Sequence, residues 1–360
     1  MGSDDAIARA MPPGLRAALA RRALEVQRPI VGGRHGAHRS QRPGVGRDFR
    51  DYRAYVPGDD PRRLDWRAAA RSQRLVVRQT ESERELDLHL LVDASGAMGY
   101  GEGALGSKWA LASALAMGLT SLATRQGDRV TWVSGRQGEV EGGLSRPSAR
   151  RDRLREVALR CVESEHAPAG DCPWDGMLDT LATVLSPRRP ALIVVVSDFL
   201  DPKAATEAEP EAGEGEGEGE SAKAPDAALL RSLGVLRAAG HDLLLAQVLH
   251  RDELEFPWTR QRVRRFEDLR GRRALVEGPG ASLRARYLER LEAHLRWHGR
   301  RCDREGLALV RLVAGLGEDP AERERSMVDQ IVGVLGRLAG QPFAAAPVGV
   351  LAELEAHVER

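Results

Sequence analysis

Lysine is nearly missing from this chain. Only Lys108, Lys203 and Lys223 occur among 360 residues, against 51 arginines. With abundant Ala and Gly, that bias points to a GC-rich coding sequence before it points to a mechanism. An excess of positive charge is missing too: 54 basic and 53 acidic side chains leave a net +1. Nonspecific polyanion binding needs net positive charge, so the balance argues against a histone-like or general nucleic-acid binder. Cysteine is scarce. Cys161, Cys172 and Cys302 are odd in number, widely spaced and never Cys-x-x-Cys, which argues against a disulfide framework and fits a reducing compartment. Apolar runs reach only the length of Ala191–Val196, far short of the ~20 residues of a membrane-spanning helix. The opening residues carry Asp4 and Asp5 and lack the apolar core of a secretory signal. A soluble cytoplasmic protein is the expectation. Aromatics make up 4% of the chain, although six of them are Trp.

Charge is present but segregated. Residues 1–80 hold 17 Arg against eight acidic residues, while 203–226 hold eight acidic residues against two lysines. The acidic stretch alternates Gly and Glu and reads as a solvated loop. Gly and Arg dominate 32–47, which reads as irregular. One amphipathic helix is expected over 15–26 through Leu15, Leu19 and Leu24, and a short strand over 75–78.

From residue 87 strand and helix patterns alternate. Strands are expected at 87–93, 129–134, 139–144, 191–196, 242–249 and 307–313. Helices are expected at 108–125, 148–163, 175–185, 226–238, 280–302 and 321–338, with a hairpin insertion over 262–277. Residues 108–125 are apolar nearly all round, as in a helix buried against a sheet. The run Ala191–Val196 suits a central parallel strand covered on both faces. The pattern predicts a three-layer, doubly wound α/β sheet. Its parts are an Arg-rich N-terminal segment (1–86), an α/β domain (87–316) and a C-terminal helical segment (317–360).

Asp93 and Ser95 fall where a strand ends and a helix should begin, and Asp198 ends a later strand in the same way. In a doubly wound sheet, ligands bind beyond the carboxyl ends of the strands. Two carboxylates and a hydroxyl at such an edge offer oxygen ligands suited to Mg²⁺. Equally, Asp93 and Ser95 serve as helix caps.

The stretch Arg53-x-Tyr55-x-x-Gly58-Asp59-x-x-Arg62-x-x-Asp65-Trp66, followed by Ala70-Arg71, lies within residues 46–71. It resembles the signature of a bacterial family known as domain of unknown function 58. The resemblance runs over about residues 15–340, through the Asp93 and Asp198 strands and the helix that holds Tyr287. It implies a fold similar to the von Willebrand factor A domain and, as expected partner, an AAA+ ATPase of the MoxR type. It implies no established enzymatic activity. In von Willebrand A domains a metal-ion-dependent adhesion site of the form Asp-x-Ser-x-Ser is completed by a Thr and a late Asp. Asp93, Ser95 and Asp198 match, but Ala97 stands at the second Ser. The loop expected to carry the Thr reads Gly170-Asp171-Cys172-Pro173, where Asp171 is a substitute oxygen ligand. The resemblance therefore implies a degenerate site, at which the edge binds a protein partner without an obligatory metal. The alternative is a Mg-dependent adhesion-like module.

In the signature, arginines alternate with aspartates, and a planar guanidinium suits bidentate carboxylate pairs. A structural clamp with Trp66 packed against the main domain is one reading, and a recognition surface for a partner is the other. Stacking of single-stranded nucleic acid on Tyr52, Tyr55 and Trp66 is disfavoured by the interleaved aspartates. His294, His298 and Cys302 recur every four residues, a spacing open to Zn²⁺. They continue the apolar stripe Leu288, Leu291, Leu295, so a core role is expected. A phosphatase built on Asp93 would want a second Asp at position 95 and a lysine at the strand ends. Ser95 stands there, and none of the three lysines is expected at the edge. No Gly-x-Ser-x-Gly elbow, His-Glu-x-x-His or Walker A sequence occurs. The expectation is a non-catalytic interaction protein.

Overall fold

The computed structural model describes residues 3–26, 43–57, 64–72, 74–81, 86–103, 105–150, 152–165, 170–186, 189, 191–200, 225–258, 263–271, 276–342 and 348–351. In chain order the elements are α1 (Ser3–Ala10), α2 (Pro13–Leu19), β1 (Pro43–Ala54), α3 (Trp66–Ser72), β2 (Val76–Glu81) and β3 (Asp87–Asp93). After a 3₁₀ turn at Gly96–Gly99 come α4 (Lys108–Gln126), β4 (Arg129–Arg136), β5 (Glu139–Ser148), α5 (Arg153–Glu163), α6 (Trp174–Val184) and β6 (Ala191–Ser197). Then follow α7 (Pro225–Ala238), β7 (Asp242–His250), α8 (Arg251–Glu255), β8 (Val263–Phe266), β9 (Val276–Pro279), α9 (Gly280–Arg304), β10 (Ala308–Ala314) and α10 (Pro320–Leu338).

Six strands form one sheet in the order β10-β7-β6-β3-β4-β5. All neighbours are parallel except β4 and β5, which are antiparallel with register shifts. Successive side chains of a strand face opposite sides, and this sheet is apolar on both. Leu88, Leu90 and Val92 of β3, Leu192, Val194 and Val196 of β6, and Leu244, Ala246 and Val248 of β7 join one core cluster. The intervening Leu91, Ile193, Val195, Leu243 and Leu245 join another. Helices α1, α2, α4, α5 and α10 cover the first face, and α6, α7 and the end of α9 the second. The chain is a mixed α/β protein with a mostly parallel central sheet between helices. Helix α4 is buried nearly all round, because sheet and helices enclose it together. Among the described residues, no helix is long and apolar enough to cross a membrane.

Three local expectations change. The helix expected over 15–26 stops at Leu19. Beyond it the chain is held by the end of α4: Arg125 donates to the carbonyls of Leu19 and Ala20 at 3.0 and 3.2 Å. The Gln126 amide accepts the Leu24 N–H at 2.7 Å and donates to the Leu24 carbonyl. Leu24 is thus buried without being helical. Within the stretch expected to be irregular, residues 43–54 form β1, which pairs with β2 in a separate two-stranded sheet. Helix α5 begins at Arg153, not near 148, because Ser148 still pairs with Val130. The acidic stretch 203–226 lies outside the described residues apart from 225 and 226, as do all of 32–42.

Gly135 marks where the loop before α6 meets the sheet. A Cβ there would lie 2.5 Å from Pro173 Cδ and 2.8 Å from Met177 Sδ. Gly103, by contrast, faces open space. Overpacking costs about 1–3 kcal/mol, so Gly135→Ala should lower stability by that much, while Gly103→Ala should stay within about 0.5 kcal/mol. Urea unfolding of the two variants beside the parent checks both.

Candidate functional site

Strands β3 and β6 are neighbours, but the chain leaves them in opposite directions, towards β4 from one and β7 from the other. This reversal opens a crevice beyond their carboxyl ends, where ligands of such sheets bind. Asp93 and Asp198 both lie there, fully buried, yet their surroundings differ.

Asp93 faces neutral donors. Its Oδ1 accepts the Ser95 N–H at 2.8 Å, and its Oδ2 accepts the Ser197 hydroxyl at 2.6 Å. Burial, only partly offset by Arg270, raises its pKa above the usual carboxylate range, and the neighbouring Asp198 charge adds to the rise. Asp198 faces two cations. Lys108 Nζ donates to Oδ2 at 2.9 Å and Arg270 Nη2 to Oδ1 at 2.7 Å, while the Leu200 N–H also reaches Oδ1 at 3.1 Å. Burial opposes its charge, but Lys108 and then Arg270 outweigh it and hold the carboxyl well below its ordinary pKa.

Lys108 is 1% exposed and opens α4, an end where the helix dipole disfavours a cation. It is held there by Asp198 and by Glu253 Oε1 at 2.8 Å. Burial works against its charge, and the two carboxylates more than offset it, so its pKa is raised. Glu253 is itself fixed by a reciprocal cap on α8. Its Oε2 accepts the His250 N–H at 2.8 Å, while His250 Nδ1 accepts the Asp252 N–H.

The loop before α6 brings a sulfur to this edge in place of the expected Thr. Burial, and then the Asp93 charge, push the Cys172 thiol well above its ordinary pKa, so it stays neutral. Asp171, the suggested substitute ligand, engages its backbone carbonyl with the Gly138 N–H at 3.0 Å. The buried Ser95 Oγ has no hydrogen-bond partner among the described residues.

These residues do not fit a divalent cation well. Both oxygens of Asp198 are committed to organic cations, Ala97 offers no oxygen, and Cys172 replaces a hydroxyl. Among the described residues, no group of three or more His, Cys, Asp or Glu is disposed to hold a metal. One expectation is corrected here: a lysine does stand at the strand ends. It is Lys108, and both of its partners are carboxylates. The sequence signal for it was a lone lysine at the head of an otherwise apolar helix. Nothing in the sequence spacing announced Glu253, 145 residues away, or Arg270, in the hairpin insertion.

The signature residues lie elsewhere. Asp65 caps α3, accepting the Arg67 and Ala68 N–H groups at 3.0 Å each. Arg71 donates to the Arg67 carbonyl at 3.3 Å, and the Tyr55 N–H bonds to the Leu75 carbonyl. Trp66 is 65% exposed, which corrects the reading that packs it against the main domain. Arg53 pairs with Val77 in the β1–β2 ladder. Gly58, Asp59 and Arg62 lie outside the described residues. His294, His298 and Cys302 serve packing. His298 and Cys302 are buried, His294 Nε2 lies 2.7 Å from the Phe199 carbonyl, and burial lowers the His298 pKa to about 3.

A cavity of about 630 Å³ adjoins the crevice, with Asp198, Arg270 and Glu253 on its lining. Phe256, Trp258, Phe266 and Tyr287 form one wall, with ring centroids 5.1–5.8 Å apart in the Phe256–Tyr287, Phe256–Trp258, Phe256–Phe266 and Trp258–Phe266 pairs. Arg286, Arg290 and His294 of α9 also line the cavity.

The two aspartates carry opposite pH signatures. An acid whose pKa falls on folding stabilises above its unfolded value and loses that contribution as pH drops below about 4. An acid whose pKa rises on folding weakens stability as pH climbs above about 4. Asp198→Asn should therefore cost more at pH 7 than at pH 3, and Asp93→Asn should cost less at pH 7 than at pH 4. Urea midpoints at those pH values read both signs. Lys108→Met leaves Asp198 and Glu253 without their shared cation and should cost about 3–5 kcal/mol at neutral pH, by the same measurement.

Residues 51–294, more than half of the chain, match the model of a family described as "Protein of unknown function DUF58". An uncharacterized protein of Mycobacterium bovis and two of Mycobacterium tuberculosis are each 35% identical to it over 194 residues. The alignment takes in 53% of this chain and 59% of each relative, so the chain spans about three fifths of the length of those relatives. With a family model covering its signature segment, both edge aspartates and most of the cavity lining, the chain belongs to the DUF58 family.

Proposed function

We propose that this chain is a non-catalytic adaptor of the cytoplasm that binds a partner protein, an AAA+ ATPase of the MoxR type, and does so without a divalent cation. The observation that carries this reading is the Lys108–Asp198–Arg270 arrangement. A metal-dependent adhesion site needs its late carboxylate free to take a cation, and here that carboxylate holds two. Both aspartates are also poor candidates for nucleophilic work. Asp198 is ionised but locked, and Asp93 is driven towards its neutral form. The sheet order, with one antiparallel edge strand, supports a likeness to the von Willebrand factor A fold. In that fold the same edge is a recognition surface.

One observation favours a second reading, a Mg-dependent binding module. Among the described residues, the Ser95 hydroxyl is buried without a partner, beside a carboxylate that no side-chain cation contacts directly. Against it stand the positive charges of Lys108 and Arg270, which a nearby divalent ion would have to face.

Capture of a purified MoxR-type ATPase from the same genome, by biolayer interferometry, tests the proposal. Affinity should be equal in excess EDTA and in excess Mg²⁺ without nucleotide. Calorimetric titration of the chain with Mg²⁺ or Mn²⁺ should give no saturable heat. Micromolar metal binding that disappears in Asp93→Ala would establish the second reading in its place.

A further inference from the structure

The cavity beside the crevice is lined by two unlike sets of side chains. In one, Phe256, Trp258, Phe266 and Tyr287 pack together as an aromatic wall, and Leu269, which is 42% exposed, lines the cavity with them. Aromatic side chains with exposed apolar neighbours are what a buried anchor residue of a partner seeks. The other set includes Arg286 and Arg290 of α9. They are exposed, and among the described residues neither makes an ion pair or a hydrogen bond. Two like charges four residues apart on a helix repel each other, a cost that a bound anion relieves. Four carboxylates share the lining, and each is engaged elsewhere: Lys108 and Arg270 hold Asp198 and Glu253, Asp268 accepts the Arg270 N–H at 2.9 Å, and Glu267 has an interaction of its own.

The spacing selects a ligand. Residues four apart on a helix are about 6 Å apart along its axis. Acidic residues at alternate positions of an extended peptide are separated by about 6.7 Å and point to one side, while the intervening side chains point to the other. An extended segment of the form acid–apolar–acid–apolar can thus set its carboxylates on Arg286 and Arg290 and its apolar groups against the aromatic wall. Guanidinium groups pair well with carboxylates. The volume, about 630 Å³, falls in the range of sites that enclose a few side chains.

We infer that this cavity is the docking site for an acidic, apolar-anchored linear segment of the partner protein. The inference rests on the protein-binding reading above and adds to it the chemistry of what is bound.

The test uses the full chain and a fluorescein-labelled peptide with a Phe-Glu-Leu-Glu centre between Gly-Ser ends, read by fluorescence anisotropy. A second peptide carries Lys in place of each Glu. The acidic peptide should bind saturably, weaken as salt is raised, and lose at least about tenfold in affinity in the Arg286→Glu, Arg290→Glu double variant. The Lys peptide should not bind. Both arginines are exposed, so the double variant should keep the parent's urea midpoint, and Trp258→Ala gives an independent loss from the aromatic wall. Equal binding of the two peptides, or binding that survives the double variant, overturns the inference. Displacement by free succinate at the peptide's own concentration does so too, since it would make this a small-dicarboxylate site. Peptide binding without ATPase capture leaves the docking site standing and removes the ATPase as partner. ATPase capture that persists in the double variant, with no peptide binding, removes the docking site alone.

Discussion

A buried ammonium ion fixes this structure. Lys108 Nζ lies between Asp198 and Glu253, with Arg270 completing the circuit on the other oxygen of Asp198. Taking each such charge out of water costs several kcal/mol after relaxation. The arrangement is tolerable only when every partner is in place. The partners come from the start of α4, the end of β6, the short helix α8 and the β8–β9 hairpin region, so tertiary packing of four separate elements is required at once. Each partner also has a second tie. Glu253 caps α8, Asp198 accepts the Leu200 N–H, and Gln247 of β7 donates to the Asp198 carbonyl at 3.0 Å. The crevice at the strand ends is therefore stiff and nearly charge-balanced.

That balance separates two aspartates that stand at the carboxyl ends of adjacent parallel strands. Position alone gives each a strand end, burial and a backbone donor two residues on. The difference lies in the third dimension: one meets hydroxyl and thiol groups, the other meets cations. Asp93 is pushed towards the neutral acid and Asp198 is fixed as the anion. A bound divalent ion would need to invert the first and displace the partners of the second. The tethered cation Lys108 already contacts the carboxylate that such an ion would need, which is the physical ground for the metal-free mode of binding proposed above.

The sheet was legible in the sequence because its strands are buried on both faces. Continuous apolar runs such as Leu192–Val196 have few other homes, and α4 was legible as a helix with no polar face. The two-stranded pairing of β1 with β2 was not. Its Gly–Arg–Asp-rich strand carries no alternation of a kind that a core imposes, and its pairing is set by the partner strand. Leu24 was assigned to a helix on spacing, whereas its burial comes from side chains of α4, a contact between residues 102 apart. At the site, Asp93, Ser95 and Asp198 could be read from strand ends. Lys108 left only the faint signal of a lone lysine heading an apolar helix, and Glu253 and Arg270 left none, since a single polar residue on an otherwise ordinary element has no periodicity. The clamp reading packs Trp66 against the main domain, whereas its position just after the capping Asp65 leaves it 65% exposed.

The aromatic wall of the cavity inherits its rigidity from the same circuit. Phe256 ends α8 with φ of +47°, a left-handed conformation that costs a non-glycine residue of order 1 kcal/mol or more. It persists because α8 is pinned on two sides. In front, Glu253 is tied to Lys108. Behind, Leu254 packs against Val350 and Leu351, and Gly349 approaches so closely that a Cβ there would lie 2.3 Å from the Leu254 carbonyl oxygen. A wall fixed in this way loses little conformational freedom when a partner side chain settles on it, and a preorganised surface keeps more of its contact energy as affinity. In the proposed docking the buried ion pairs would act indirectly, by holding the ring of Phe256 where Trp258, Phe266 and Tyr287 assemble around it.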